Sequence, residues 1–105
     1  MMSHETKSQA LHEIERGEIL RFLAEVYPNP VTPNMLMHHL DDSAYSVDDD
    51  ELGFHFAYLF EKGYIALEEF ARRAGEKRRI RWVKITARGI DRIDNRPPES
   101  DGVRI

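Results

Sequence analysis

The stretch from Asp48 to Ile65, DDDELGFHFAYLFEKGYI, constrains this chain most, because it carries both ends of a helix and the start of a strand. Asp48 suits the N-cap, where a carboxylate accepts from orphan backbone N–H groups. Glu51 stands three residues on and completes a capping box, and Val47 is placed to staple onto Leu52. Leu52, Phe56, Leu59 and Phe60 are expected on one inward face. Lys62 falls in the last turn, and Gly63 is free to take the left-handed conformation that ends a helix. A strand beginning at Tyr64 follows with no linker.

The segments before this helix read as two more. Apolar residues recur at helical spacing from Ser8 to Tyr27: Leu11, Ile14, Ile19, Phe22, Leu23 and Val26. Gly17 interrupts them, at about 1 kcal/mol in a helix interior, so the segment is one long helix with a weak point there or two helices that meet there. Pro28 and Pro30 stop this helix, and Thr32-Pro33 opens the next, with Val31 stapling onto Leu36 and an end near Leu40. Asp41 to Ser46 is a polar loop.

After Gly63, the runs 64–71 and 78–86 alternate as strands around RAGEK, so they form a hairpin with a basic loop. A turn near Ala74-Gly75 places Glu68 opposite Trp82 and Phe70 roughly opposite Ile80. Ile65, Leu67, Val83 and Ile85 then share one face. Tyr64, Ala66, Phe70, Ile80 and Trp82 share the other. Thr86 caps a last helix, with Ile85 stapling onto Ile90. The reading divides the chain into an arm over 1–12, a domain over 13–95, and an extended tail over 96–105 that contains Pro97-Pro98.

The order helix, helix, helix, strand, strand, helix is mainly α with a small antiparallel hairpin. It resembles the winged helix-turn-helix arrangement (α-α-α-β-β-α). ELGFHFAYLFEKGYI matches the third helix running into the hairpin, and WVKITARGID matches the outgoing strand with its capped final helix. More narrowly, RGEILRFLAE, VDDDELGFHFAYLFEKGYI and KITARGIDRIDN before DGVRI resemble small winged-helix proteins of Mu-like phages and prophages. The resemblance implies a fold and a phage context, and no biochemical role.

Charge is divided along the chain. Residues 1–70 carry 4 basic and 14 acidic side chains, a net of −10, and residues 71–105 carry 11 basic and 5 acidic, a net of +6. Arg72, Arg73, Lys77, Arg78, Arg79 and Arg81 crowd the hairpin. On a protruding wing they are candidates for phosphate contacts with DNA, weakly sequence-specific and sensitive to salt. The bland alternative is a solvated hairpin whose charges protect a sheet edge. The third helix argues against base readout: it begins with Asp48, Asp49, Asp50 and Glu51, and only His55 and Lys62 could read a base edge.

Tyr64, Phe70, Ile80 and Trp82 are the candidate interface, an outer apolar patch covered by a terminus or by a second copy. The expected function is therefore a DNA-binding, transcription-associated protein that forms a homodimer. The alternative is a winged-helix interaction or dimerisation module that does not bind DNA. An exposed acidic third helix favours that alternative. The histidines match no metal-ligand spacing and read as surface residues, so no metal and no cofactor are expected. With no phosphate loop or nucleophile elbow, the chain reads as no enzyme, with no small-molecule substrate. With no apolar run long enough to span a bilayer, and no cysteine, it is expected in the cytoplasm and away from membranes.

Overall fold

The computed structural model describes residues 7–71, 73–95 and 101–105. Its elements are α1 (Gln9–Glu25), α2 (Pro33–Asp42), α3 (Asp49–Glu61), β1 (Ile65–Phe70), β2 (Arg79–Ile85) and α4 (Ala87–Asp94). The protein is mainly helical, with one two-stranded antiparallel sheet.

Local chemistry sets the element ends. The Asp48 carboxylate accepts from the Glu51 N–H at 2.8 Å, and the Glu51 carboxylate accepts from the Asp48 N–H at 3.1 Å, closing the capping box. Gly63 ends α3 at φ 78°, which an L side chain resists. Thr32 caps α2 with Pro33 in the first turn, and Thr86 caps α4. The two strands pair in the expected register at Ile65↔Ile85, Leu67↔Val83 and Glu68↔Trp82.

The core lies between α1, α2, α3 and the inner face of the hairpin. Ile19, Leu20, Leu23, Leu36, Leu40, Leu59 and Val83 are wholly buried there, with Phe56, Ile65 and Ile85 nearly so. Val31 extends the sheet by one bridge: Val31 and Val83 exchange two backbone hydrogen bonds of 2.9 Å. This fastens the connection between α1 and α2 to the outer side of β2.

One expectation needs correction, and two are sharpened. Phe60 is not an inward residue of α3 but is 53% exposed. Of the two readings at Gly17, the structure gives the single helix: α1 runs unbroken through it. Residues 101–105 have no regular secondary structure, yet they are docked on the domain. Val103 is buried in the core, Gly102 is buried, and the Arg104 N–H donates to the Glu13 carbonyl at 2.9 Å. Glycine is required at both contact points, since a Cβ on Gly17 would lie 1.9 Å from the Arg104 carbonyl oxygen, and one on Gly102 2.0 Å from the Tyr58 hydroxyl. Pro97 and Pro98 lie outside the described residues.

Asp101 is the anchor of this segment. Its carboxylate receives Arg92 Nε at 2.6 Å, Arg92 Nη2 at 3.1 Å and the Tyr64 hydroxyl at 2.5 Å. Burial alone would raise this carboxyl, but Arg92 and Tyr64 outweigh it and hold Asp101 below the ordinary carboxylate range. A depressed folded-state pKa gives stability that is complete above the unfolded value near ~4 and is lost as pH falls through the folded value. We expect D101N to be about 1–3 kcal/mol less stable than the wild type at pH 7, the gap closing towards pH ~2, as read by urea unfolding across that range.

Candidate functional site

The hairpin displays the expected cations. Arg73, Lys77, Arg78 and Arg79 are exposed, while Arg72 lies outside the described residues. Arg81 is exposed but engaged: its Nε lies 3.0 Å from Glu68, and its guanidinium sits 4.5 Å above the Phe70 ring. Arg79 and Arg81 share an open groove of about 310 Å³ with Thr32, Pro33 and Asn34, the residues that start α2. Pro33 has no N–H and Thr32 accepts those of Met35 and Leu36, so attraction for an anion there rests on the two guanidinium groups, of which Arg81 is shared with Glu68. On the other side of the hairpin the charges oppose each other. Lys77, Arg78 and Arg79 line a groove of about 530 Å³ together with Asp49 and Asp50 of α3.

The outer apolar patch is not assembled. Tyr64 is buried, with its hydroxyl on Asp101. The register shifts between Glu68 and Glu69, leaving Arg81 as the extra residue, so Ile80 pairs with Glu69 and Phe70 with Arg79 rather than with Ile80. A bulge of this kind reverses the alternation beyond it. Ile80 therefore turns to the inner side, where it packs on the core and lines a groove with Phe56, Phe60 and Leu67. Only Phe70 and Trp82 stay on the outer face, half-buried beneath Arg81 and Lys84.

The apolar surface lies instead on α3. Phe54 is 73% exposed and Phe60 53% exposed, with Gly53 and Ala57 exposed between them. Asp49, Asp50 and Glu61 border the same face. Phe54 has a signal in the sequence: at about 100° per residue it falls roughly opposite the stripe of Leu52, Phe56 and Leu59.

His55 cannot read a base edge, because it is 2% exposed and belongs to a buried polar cluster. Its Nε2 lies 2.8 Å from Oε1 of Glu15, itself 1% exposed. Arg16 Nε donates to His55 Nδ1 at 3.2 Å. Arginine has no acceptor, so Nδ1 carries the lone pair and Nε2 the proton that goes to Glu15. Burial, with Arg16 adding to it, lowers the His55 pKa, and Glu15 opposes this. Lys7 Nζ bonds the other Glu15 oxygen at 2.8 Å and reaches Glu51 at 2.9 Å, tying the start of α1 to the start of α3. His12 stands beside them, its Nδ1 buried without a hydrogen-bond partner and 3.7 Å from Glu15. Of the remaining histidines, His38 is exposed, His39 pairs with Glu18 at 2.7 Å and stacks on Phe22, and His4 lies outside the described residues.

Among the described residues, no helix is long and apolar enough to cross a membrane. Comparison with family models, with curated proteins and with solved structures finds no match for this chain.

Proposed function

We propose that this chain is a winged-helix protein-interaction module of phage type, working through the solvent face of α3. Support for the winged helix comes from the element order and from α3 passing through Gly63 directly into the hairpin. The observation that carries the function is the pair of exposed phenylalanines, Phe54 and Phe60, on a helix face bordered by Asp49, Asp50 and Glu61. Exposed aromatics around small residues are suited to docking another protein. Three carboxylates on that face repel phosphate, so base readout by α3 is disfavoured. A cytoplasmic location, and a homodimer as one form of the association, belong to this reading.

The test compares the wild type with F54S/F60S, in sedimentation of the pure protein and in capture of partners from a host lysate. Both side chains are surface residues, so the melting temperature should move little. The expected result is an association, with itself or with another chain, that the double variant loses. Associations indifferent to both phenylalanines overturn the proposal.

A second reading keeps DNA as the partner. Exposed Arg73, Lys77, Arg78 and Arg79, with the groove that Arg79 and Arg81 share, favour it. Backbone contacts would then be led by the wing, leaving α3 out of the groove. Binding to a random-sequence duplex that falls steeply with salt and disappears in R78A/R79A would establish this reading, and absence of binding at low salt would exclude it.

A further inference from the structure

The buried cluster at the α1–α3 contact does more than neutralise charge. His12 Nδ1 lies 3.7 Å and His55 Nε2 2.8 Å from Glu15 Oε1, and a ligand atom from each of the three residues lies within 4.8 Å of the other two. His12 and Glu15 stand three residues apart on one face of α1, and His55 reaches them from α3. The two imidazoles meet edge to face, with centroids 5.5 Å apart.

Two features separate this set from an ordinary salt-bridge cluster. The first is His12 Nδ1, a fully buried nitrogen with no hydrogen-bond partner. A buried polar atom is rarely left so, and the lone pair of a neutral imidazole is a metal-ligand orbital. The second is Glu15, a carboxylate that is 1% exposed and uses one oxygen for Lys7 and the other for His55. A bound cation at Oε1 would leave Lys7 on Oε2 as its outer support.

We infer that His12, Glu15 and His55 form a binding site for one divalent transition-metal ion of the zinc class, with a fourth position open to water. Two nitrogens and one carboxylate oxygen are a donor set such ions take. An ion about 2.1 Å from each ligand needs those atoms about 3.4 Å apart. The His12–Glu15 separation of 3.7 Å is close to that already. The 2.8 Å His55–Glu15 hydrogen bond has to open by roughly half an ångström as its proton leaves. The His12 side chain is 31% exposed, so the ion enters along it.

Arg16 opposes the ion. Metal at His55 Nε2 requires the ring proton to move to Nδ1, where the Arg16 Nε–H already points from 3.2 Å. Metal-bound imidazoles donate from the second nitrogen to an acceptor, and arginine offers none. Arg16 is held in place by the Gly102 carbonyl at 2.9 Å and by the Tyr58 ring, 3.9 Å beneath its guanidinium. Binding therefore competes with Arg16, and glutamine in its place supplies the missing acceptor.

The test is titration of the untagged full chain with Co²⁺, read by visible absorption, with Zn²⁺ displacement to follow. H38A/H39A serves as the background, removing the adjacent pair on α2. We expect one equivalent bound there, at least a tenfold weakening on adding H12A, and about a tenfold tightening on adding R16Q. His12 is part-exposed, so H12A is expected to fold, and circular dichroism checks this. Paramagnetic broadening by Co²⁺ should fall first on the His12 and His55 ring protons. Absence of Co²⁺ binding in both the background protein and R16Q, or binding unchanged by H12A, overturns the site.

Discussion

Deleting residues 101–105 is expected to destabilise the protein by about 3–5 kcal/mol, a large part of the 5–15 kcal/mol that holds a domain of this size together. Val103 alone, 4% exposed, contributes roughly 1.5–3 kcal/mol of apolar burial. The deletion also strands Arg92, which is 9% exposed and gives two bonds to Asp101 and one of 2.6 Å to the Val103 carbonyl. Breaking such a buried pair by removing one partner costs about 3–5 kcal/mol where the remaining charge stays dry. Here the vacated groove admits water, so the two contributions do not add in full. Tyr58, Tyr64 and Arg16 each lose an acceptor and regain one from solvent. Urea unfolding of the full and shortened chains measures the difference. A change below about 1 kcal/mol would mean that this segment is not docked in solution.

That docking was the feature least legible in the sequence, and the reason is physical. The ends of α3 and the caps of α2 and α4 follow from residues within a few positions of one another, and the hairpin register from Ile65 to Glu68 follows from strand alternation, so simple rules found them. Asp48 with Glu51 and Glu68 opposite Trp82 are examples. The buried face of α1 is different. Periodicity pointed to Leu11 and Ile14, which are only half-buried, while Glu13 and Glu15 are buried. Glutamate is acceptable there because its partners arrive from elsewhere: Lys7 and His55 for Glu15, Arg104 for Glu13. No local pattern announces a partner ninety residues away. The candidate contact surface was half legible for a similar reason. The basic hairpin stood out as a run of charges. The expected aromatic patch failed because a single extra residue, Arg81, turned Ile80 to the other side. Phe54 lies opposite the apolar stripe on the helical wheel, whereas Phe60 lies at the margin of that stripe, where periodicity does not separate inward from outward.

Gly17→Ala is expected to change sign according to whether the C-terminal segment is present. In an isolated helix interior alanine is better than glycine by about 1 kcal/mol. In the full chain the added Cβ would fall 1.9 Å from the Arg104 carbonyl oxygen and 2.8 Å from its carbon. Those are backbone atoms, so no side-chain rotation relieves the clash, and the segment has to lift from α1. Lifting weakens the 2.9 Å bond from the Arg104 N–H to the Glu13 carbonyl and withdraws Val103 from the core. The loss cannot exceed what docking contributes, and after the gain in helix propensity we expect the full-length variant to be about 2–3 kcal/mol less stable. In the chain lacking 101–105 nothing remains to clash, and the same substitution should stabilise by up to about 1 kcal/mol. The difference, about 3–4 kcal/mol, is the coupling energy of a double-mutant cycle between Gly17 and the segment. Equal destabilisation in both backgrounds would place the cause within α1 itself, and the close approach of the C-terminal backbone would then not be why this helix carries a glycine at its centre.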